Sequence, residues 1–179
     1  MFIPLTQAHR QHHLPLPLLH DLISAFEQDV RNPRYPDRAT LLDYCSRSAD
    51  PVGRLLLHLY GVGDALSLAQ SDQICTALQL INFWQDRAED LRRGRDYLPQ
   101  GHTLAEELRF ARQLMLQGAP LVHRVKGRAG WELRAVVQSG LCILTKLDAR
   151  VGTADPQQLT RPTLKKFDFI RIFWRCIRM

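Results

Sequence analysis

Asp86 and Asp90 are two carboxylates one helical turn apart, with Glu89 between them, in the segment Gln79-Leu-Ile-Asn-Phe-Trp-Gln-Asp-Arg-Ala-Glu-Asp-Leu-Arg-Arg-Gly-Arg-Asp-Tyr97-Leu-Pro99. On a helix turning about 100° per residue, Gln79, Asn82, Asp86 and Asp90 fall within an arc of about 80°. Leu80, Ile81, Phe83 and Trp84 border that arc with apolar surface. A polar group buried without a partner costs about 1–3 kcal/mol or more, so a stripe set into a buried helix must face something polar. A hydrated divalent cation meets the need. Magnesium prefers oxygen ligands in an octahedron, keeps several waters, and is held by one or two carboxylates together with substrate phosphate oxygens. The competing reading is a solvated helix face on which Asp86, Glu89 and Asp90 pair with Arg87, Arg92 and Arg93 at helical spacing. The apolar border favours the cation. Gly94 then reads as a helix C-cap, with Arg93 among the guanidinium groups placed to meet diphosphate oxygens.

Residues Gln79 to Pro99 resemble the second aspartate-rich motif of the squalene and phytoene synthase family. A second block, Tyr44-Cys-Ser-Arg-Ser-Ala-Asp-Pro-Val52-Gly53-Arg-Leu-Leu-Leu-His-Leu-Tyr60-Gly, resembles the family's tyrosine-bearing helix, which lines an isoprenoid tunnel. The two blocks stand in the family's order and at its separation. Their wording is most similar to the hydroxysqualene synthase branch of bacterial hopanoid biosynthesis. Similarity continues through Gly118-Ala-Pro-Leu-Val-His, Gly130-Trp-Glu-Leu-Arg and Arg161-Pro-Thr-Leu, so it covers nearly the whole chain.

The resemblance implies an all-α, isoprenoid-synthase-type helical bundle acting on a prenyl diphosphate. Magnesium would be held by Asp86 and Asp90, with Glu89 a weaker ligand, while Gln79 and Asn82 orient phosphate or metal-bound water. Val52 and Gly53 would lie along the prenyl chain. Tyr44 would border the reacting carbons, where an aromatic face stabilises a cation by about 0.5–2 kcal/mol; the alternative is a core tyrosine with a bonded hydroxyl. Tyr97 would sit near the diphosphate, or be an ordinary loop aromatic. The reaction implied is conversion of presqualene diphosphate, made from two farnesyl diphosphates, to hydroxysqualene. A sibling synthase that condenses prenyl diphosphates to presqualene or phytoene diphosphate, and a non-catalytic assembly factor of the same fold, are the alternatives.

One element of the family pattern is missing. Members carry a first aspartate-rich motif on an upstream helix, and no DxxxD occurs between Met1 and Asp43. Asp21, Glu27 and Asp29 lie in a stretch that resembles the helix just before the tyrosine helix, and do not replace that motif. The expectation is a single partial domain over residues 1–179, a bundle lacking its N-terminal helices and inactive or very weak alone.

The rest of the chain agrees with a helical domain. Of 179 residues, 45% are hydrophobic, enough to supply a core. No stretch reaches the ~18 uninterrupted apolar residues of a membrane span, and the first residues lack the pattern of a secretory signal, so the cytoplasm is the expected compartment. Cys45, Cys75, Cys142 and Cys176 form no CxxC, and the seven histidines have no HExxH spacing. Helical periodicity predicts helices over Leu16–Val30, Ala39–Tyr60 with a break at Asp50-Pro51, Ser71–Arg93, Thr103–Gln117 opening on a capping box, Gly130–Ala149 and Leu164–Ile177. Pro33 and Pro36 forbid continuation of the first of these.

A net charge of +6 invites a nucleic-acid reading. The basic residues are spread over several helices, which argues against it. The exception is Lys165-Lys-Phe-Asp-Phe-Ile-Arg171-Ile-Phe-Trp-Arg175-Cys-Ile-Arg178, where cations alternate with aromatic residues. That segment reads either as a peripheral contact with the inner face of a membrane or as a closing helix packed on the domain with its arginines in water.

Overall fold

Aspartate, threonine and proline cut this chain into helices by ending hydrogen-bond ladders and capping the next ones. The structure is a computed structural model and describes residues 3–31, 34–152 and 161–179. Asp37 caps α3 (Arg38–Ser48), its side chain accepting from Thr40 N at 2.7 Å. Asp64 does the same for α5 (Ala65–Arg92) through Ser67 N. Thr103 and Glu106 form the expected reciprocal box at the start of α6 (Leu104–Gly118), which satisfies amide groups that have no partner within a helix. Between α3 and α4 (Asp50–Leu59) the ladder breaks at Ala49, because Pro51 has no N–H to donate and sits in the first turn of the new helix.

The remaining elements are α1 (Ile3–His12), α2 (Leu16–Arg31), a short 3-10 turn (Ala119–His123), α7 (Gly127–Asp148) and α8 (Lys166–Arg178). No strand occurs among the described residues, so the all-α expectation holds. α7 and α8 begin within three residues of their predicted starts, and two larger differences from the sequence reading stand out. α5 starts six residues earlier than Ser71, because Asp64 supplies a cap upstream of the apolar run. α1 lies in a segment for which periodicity predicts no helix; its last turn is held by the His9 ring on the Leu14 carbonyl, and its end by His58 on the His12 carbonyl, both at 2.9 Å. α2 does end before the expected proline pair, although Pro33 itself lies outside the described residues.

α5 is the axis of the molecule: α6, α4, α7 and α3 all pack against it. Leu80 on α5, Leu108 and Met115 on α6 and Leu144 on α7 are fully buried, each worth about 2 kcal/mol of apolar burial. At the crossing of α4 and α5 a Cβ on Gly53 would stand 2.3 Å from Ser71 Oγ and 2.5 Å from Cys75 Sγ, so any larger residue would force those two side chains to turn away. The α2–α3–α4 layer thereby sits against the same helix that carries the carboxylates.

Candidate functional site

The C-terminal half of α5 has two faces. Leu80, Ile81, Phe83 and Trp84 are all buried, as their spacing predicts. The polar side is open: Asn82 is exposed, and Gln79, Asp86, Glu89 and Asp90 are half-buried. The stripe therefore does not face a packed core, and its polar groups need no protein partner. It borders an open cavity of about 700 Å³, where Asn82, Asp86, Asp90, Arg93, Tyr97 and Arg161 meet. Gln79 lies one turn nearer the middle of α5 and is not part of this lining.

The carboxylates divide by partner. Glu89 pairs with Arg92 at 2.5 Å and Arg93 at 2.9 Å, and these guanidinium groups hold its carboxyl below the usual range. Here the solvated-face reading is correct. Arg87 turns instead toward Asp96, at 3.8 Å. Asp86 takes its partner from far along the chain, Arg161 Nε at 2.6 Å. Asp90 makes no ion pair among the described residues; burial, then the neighbouring Asp86 charge, raise its pKa. Two like charges one turn apart, one of them without a counter-ion, form a site that a cation would stabilise.

An aromatic wall connects this cavity to the tyrosine helix. Tyr97 stacks on Phe83 with ring centroids 3.9 Å apart, and Phe83 lies 6.1 Å from Tyr44. Tyr35 closes the group, edge-on to Tyr44 and stacked on Tyr97. Tyr44 is buried, and its hydroxyl donates to Asp29 Oδ1 at 2.7 Å. Burial and then that carboxylate push its pKa up, so the hydroxyl keeps its proton. Burial and then Asp90 likewise raise the Tyr97 pKa. Val52 is exposed and Gly53 buried at the α4–α5 crossing; neither lines the cavity.

Three contributors were not legible in the spacing. Arg161 reaches Asp86 across seventy-five positions of sequence, and Gln85 Nε2 donates to the Pro162 carbonyl at 2.5 Å, fixing the segment that carries Arg161 beside the cavity. Asp29, set aside in the sequence as no substitute for a metal motif, orients Tyr44 instead. The third is Phe83, which the pattern marks only as core and which forms the wall shared by Tyr44 and Tyr97.

The magnesium fit is partial. Among the described residues, no three His, Cys, Asp or Glu side chains converge as a complete metal site. Asp86 and Asp90 do line one cavity beside arginines, which suits an ion that takes one or two carboxylates and completes its shell with water and phosphate.

The profile of the squalene/phytoene synthase family matches residues 1–109. The chain belongs to this family. The named relatives of this family are synthases. It is 40% identical over 106 residues to the hydroxysqualene synthase of Zymomonas mobilis, a match covering 55% of this chain and 35% of that protein. It is 43% identical over 79 residues to the presqualene diphosphate synthase of Rhodopseudomonas palustris, covering 44% and 28%. Among solved structures, the squalene synthase HpnC from Alicyclobacillus acidocaldarius superposes with a TM-score of 0.76 at 33% identity, covering 82% of this chain and 64% of that one. The match establishes the helical isoprenoid synthase fold. The chain spans about a third of the length of the curated relatives it matches.

Proposed function

We propose that this chain carries the diphosphate-leaving part of a hydroxysqualene-synthase-type site, acting on presqualene diphosphate derived from farnesyl diphosphate in triterpenoid lipid synthesis. The observation that carries the reading is the meeting of Asp86 and Asp90 with Asn82, Arg93, Tyr97 and Arg161 on one open cavity. Asp86 and Asp90 would hold magnesium, which when bound supplies Lewis-acid stabilisation of charge on the departing oxygens. Arg93 and Arg161 offer guanidinium forks to the diphosphate. Asn82 donates to a phosphate oxygen or its water. As the carbon–oxygen bond breaks, its electron pair leaves with diphosphate. The stacked Phe83 and Tyr97 rings border the cavity in which the carbocation would be left, and Tyr44, oriented by Asp29, packs behind Phe83 and does not line the cavity. Water then adds to carbon and loses its proton to the diphosphate or solvent.

Glu89, Gln79, Val52 and Gly53 take lesser parts in this reading. Glu89 is satisfied by its arginines, Gln79 extends the polar stripe inward, and Val52 and Gly53 belong to the helix against which a prenyl chain would lie. One pair of carboxylates is half of what a two-motif site uses, so turnover by the chain alone is expected to be absent or very slow.

The test is calorimetric titration of a non-hydrolysable prenyl diphosphate analogue with and without magnesium. Magnesium-dependent binding that is lost in Asp86→Ala supports the reading. Binding indifferent to both magnesium and Asp86 refutes it, and stable capture of a protein partner without such binding supports the assembly-factor alternative. Identity with a presqualene diphosphate synthase keeps the condensing reaction open as a second reading; mass spectrometry of products, hydroxysqualene against presqualene diphosphate, separates the two.

A further inference from the structure

A second concave surface lies toward the opposite end of α5 from the carboxylates. His123, Lys126, Gly127, Gly130, Trp131 and Arg134 line an open cavity of about 270 Å³ where the 3-10 turn passes into α7. Arg124, just past that turn, donates to Ser67 Oγ and Asp64 Oδ1 at the start of α5, at 2.7 and 2.8 Å. From Ser67 to Asp86 is about 28 Å along the helix at 1.5 Å per residue, and no residue lines both cavities.

The backbone shapes this hollow. A Cβ on Gly130 would stand 2.1 Å from the Val125 carbonyl oxygen, a backbone atom that cannot swing aside, so only glycine lets the first turn of α7 lie against the chain before it. Gly127 enters the helix at a φ of +66°, in the left-handed region that favours glycine.

The lining is cationic. His123 and Lys126 are exposed and make no ion pair among the described residues, and no Asp or Glu lines the cavity. Glu132, in the second turn of α7, is held by Arg128 at 2.6 Å. Arg134 is the fixed element: its guanidinium carbon lies 4.9 Å from the centroid of the Trp131 ring, and Nη1 donates to the Cys176 carbonyl at 3.4 Å. Its Nε is nevertheless buried with no hydrogen-bond partner among the described residues. A charged donor taken out of water without an acceptor is costly, and an anion in the cavity that Arg134 lines offsets that cost.

The donor types define the anion. Guanidinium, ammonium and imidazole N–H groups come from α7, the residue before it and the 3-10 turn. The first amides of α7, which have no partner within a helix, receive no side-chain cap from Lys126. Donors from several directions suit a tetrahedral oxyanion with three or four accepting oxygens better than a planar carboxylate with two.

We propose that this cavity binds a phosphate group, free or carried on a small phosphomonoester, through Arg134, Lys126 and His123. The site does not rest on the reaction assigned above, since it shares no residue with the Asp86 and Asp90 cavity.

The test is a magnetic-resonance titration of the isotope-labelled full chain in chloride buffer with inorganic phosphate and, separately, with glycerol 3-phosphate. Saturable movement of the Gly127, Arg128 and Ala129 amides and of the Trp131 indole is expected, at added chloride concentrations that leave them still. Tighter binding of inorganic phosphate identifies the free ion as the ligand, and tighter binding of the ester identifies a phosphomonoester. Arg134→Gln should weaken binding about ten-fold or more, as for a lost charged hydrogen bond, and Lys126→Gln by a smaller factor. Lys126 is exposed and holds no other element, so its variant keeps the test decisive if Arg134→Gln unfolds. Shifts confined to the surroundings of Asp90 and Arg93, shifts at Gly127 that chloride reproduces, or an affinity indifferent to Lys126→Gln would each overturn the proposal.

Discussion

Two acidic regions of this molecule lie on neighbouring helices and are built in opposite ways. Glu107, near the start of α6, is fully buried; its Oε1 accepts from Arg38 Nε and Nη2 at 3.0 and 2.7 Å and lies 2.7 Å from His102 Nδ1. The Arg38 guanidinium also stacks on Phe110, 4.4 Å from the ring centroid. The Arg38 bonds tie α3 to the α6 entry and neutralise the carboxylate, while Glu107 Oε2 is buried with no hydrogen-bond partner among the described residues. Asp86 and Asp90 on α5 are half-exposed beside a cavity; Asp86 pairs with the exposed Arg161, and Asp90 makes no ion pair among the described residues. A carboxylate that the protein has already neutralised holds the fold together. A pair left short of positive charge is where an outside cation adds something.

That contrast can be broken from either side. The largest effect is expected from Glu107→Ala, which should cost about 3 kcal/mol, toward the low end for a broken buried pair because Arg38 is 31% exposed and rehydrates. Urea unfolding measures it, and affinity for a diphosphate analogue in the folded protein should not change. If stability is unaffected and ligand affinity falls, the assignment of roles is reversed.

The mirror experiment is Asp86→Ala with Asp90→Ala. Magnesium-dependent binding of the diphosphate analogue should fall on the order of 100-fold, while unfolding free energy moves by less than about 1 kcal/mol, as for exposed charges. Destabilisation comparable to that of Glu107→Ala would show that the pair is structural.

Asp50 sharpens the comparison because it is buried like Glu107 but has a hydroxyl, Thr76 Oγ1 at 2.8 Å, where Glu107 has a cation. Burial pushes its carboxyl up to about 7 from the ordinary 3.8. The folded state therefore holds the proton more tightly than the unfolded chain. The stability this contributes is fully present below 3.8 and lost as pH rises through about 7. Asp50→Asn keeps an acceptor for Thr76 and cannot ionise. Relative to that variant, the wild type should lose on the order of a few kcal/mol across the window, read from unfolding curves at several pH values. Parallel curves would place the Asp50 titration elsewhere.

The smallest effect belongs to Arg161→Gln. Its pair with Asp86 is 57% and 37% exposed at the two ends, so stability should shift by no more than about 1 kcal/mol. Diphosphate-analogue affinity should weaken more than stability does; the reverse order would make Arg161 a tether of its segment and not a contributor to the cavity.

The residues show which features local sequence decides. The break at Ala49 follows from Pro51, the α6 entry from Thr103 and Glu106, and the common face of Asn82, Asp86 and Asp90 from helical spacing. Each depends on atoms within about one turn of one another, so the chain carries the information locally. The family was legible for the same reason, since its motifs are short runs with fixed spacing. What escaped was the openness of the polar stripe, which was read as buried because its apolar neighbours are. Also missed were the reach of Arg161 to Asp86, the bond from Tyr44 to Asp29, and the outward turn of the α8 aromatics. Helical period gives the faces of α5 and α8 but not which face meets another helix. That depends on contacts between residues distant in sequence, which only the packing of α5, α7 and α8 and the course of the chain between them decide.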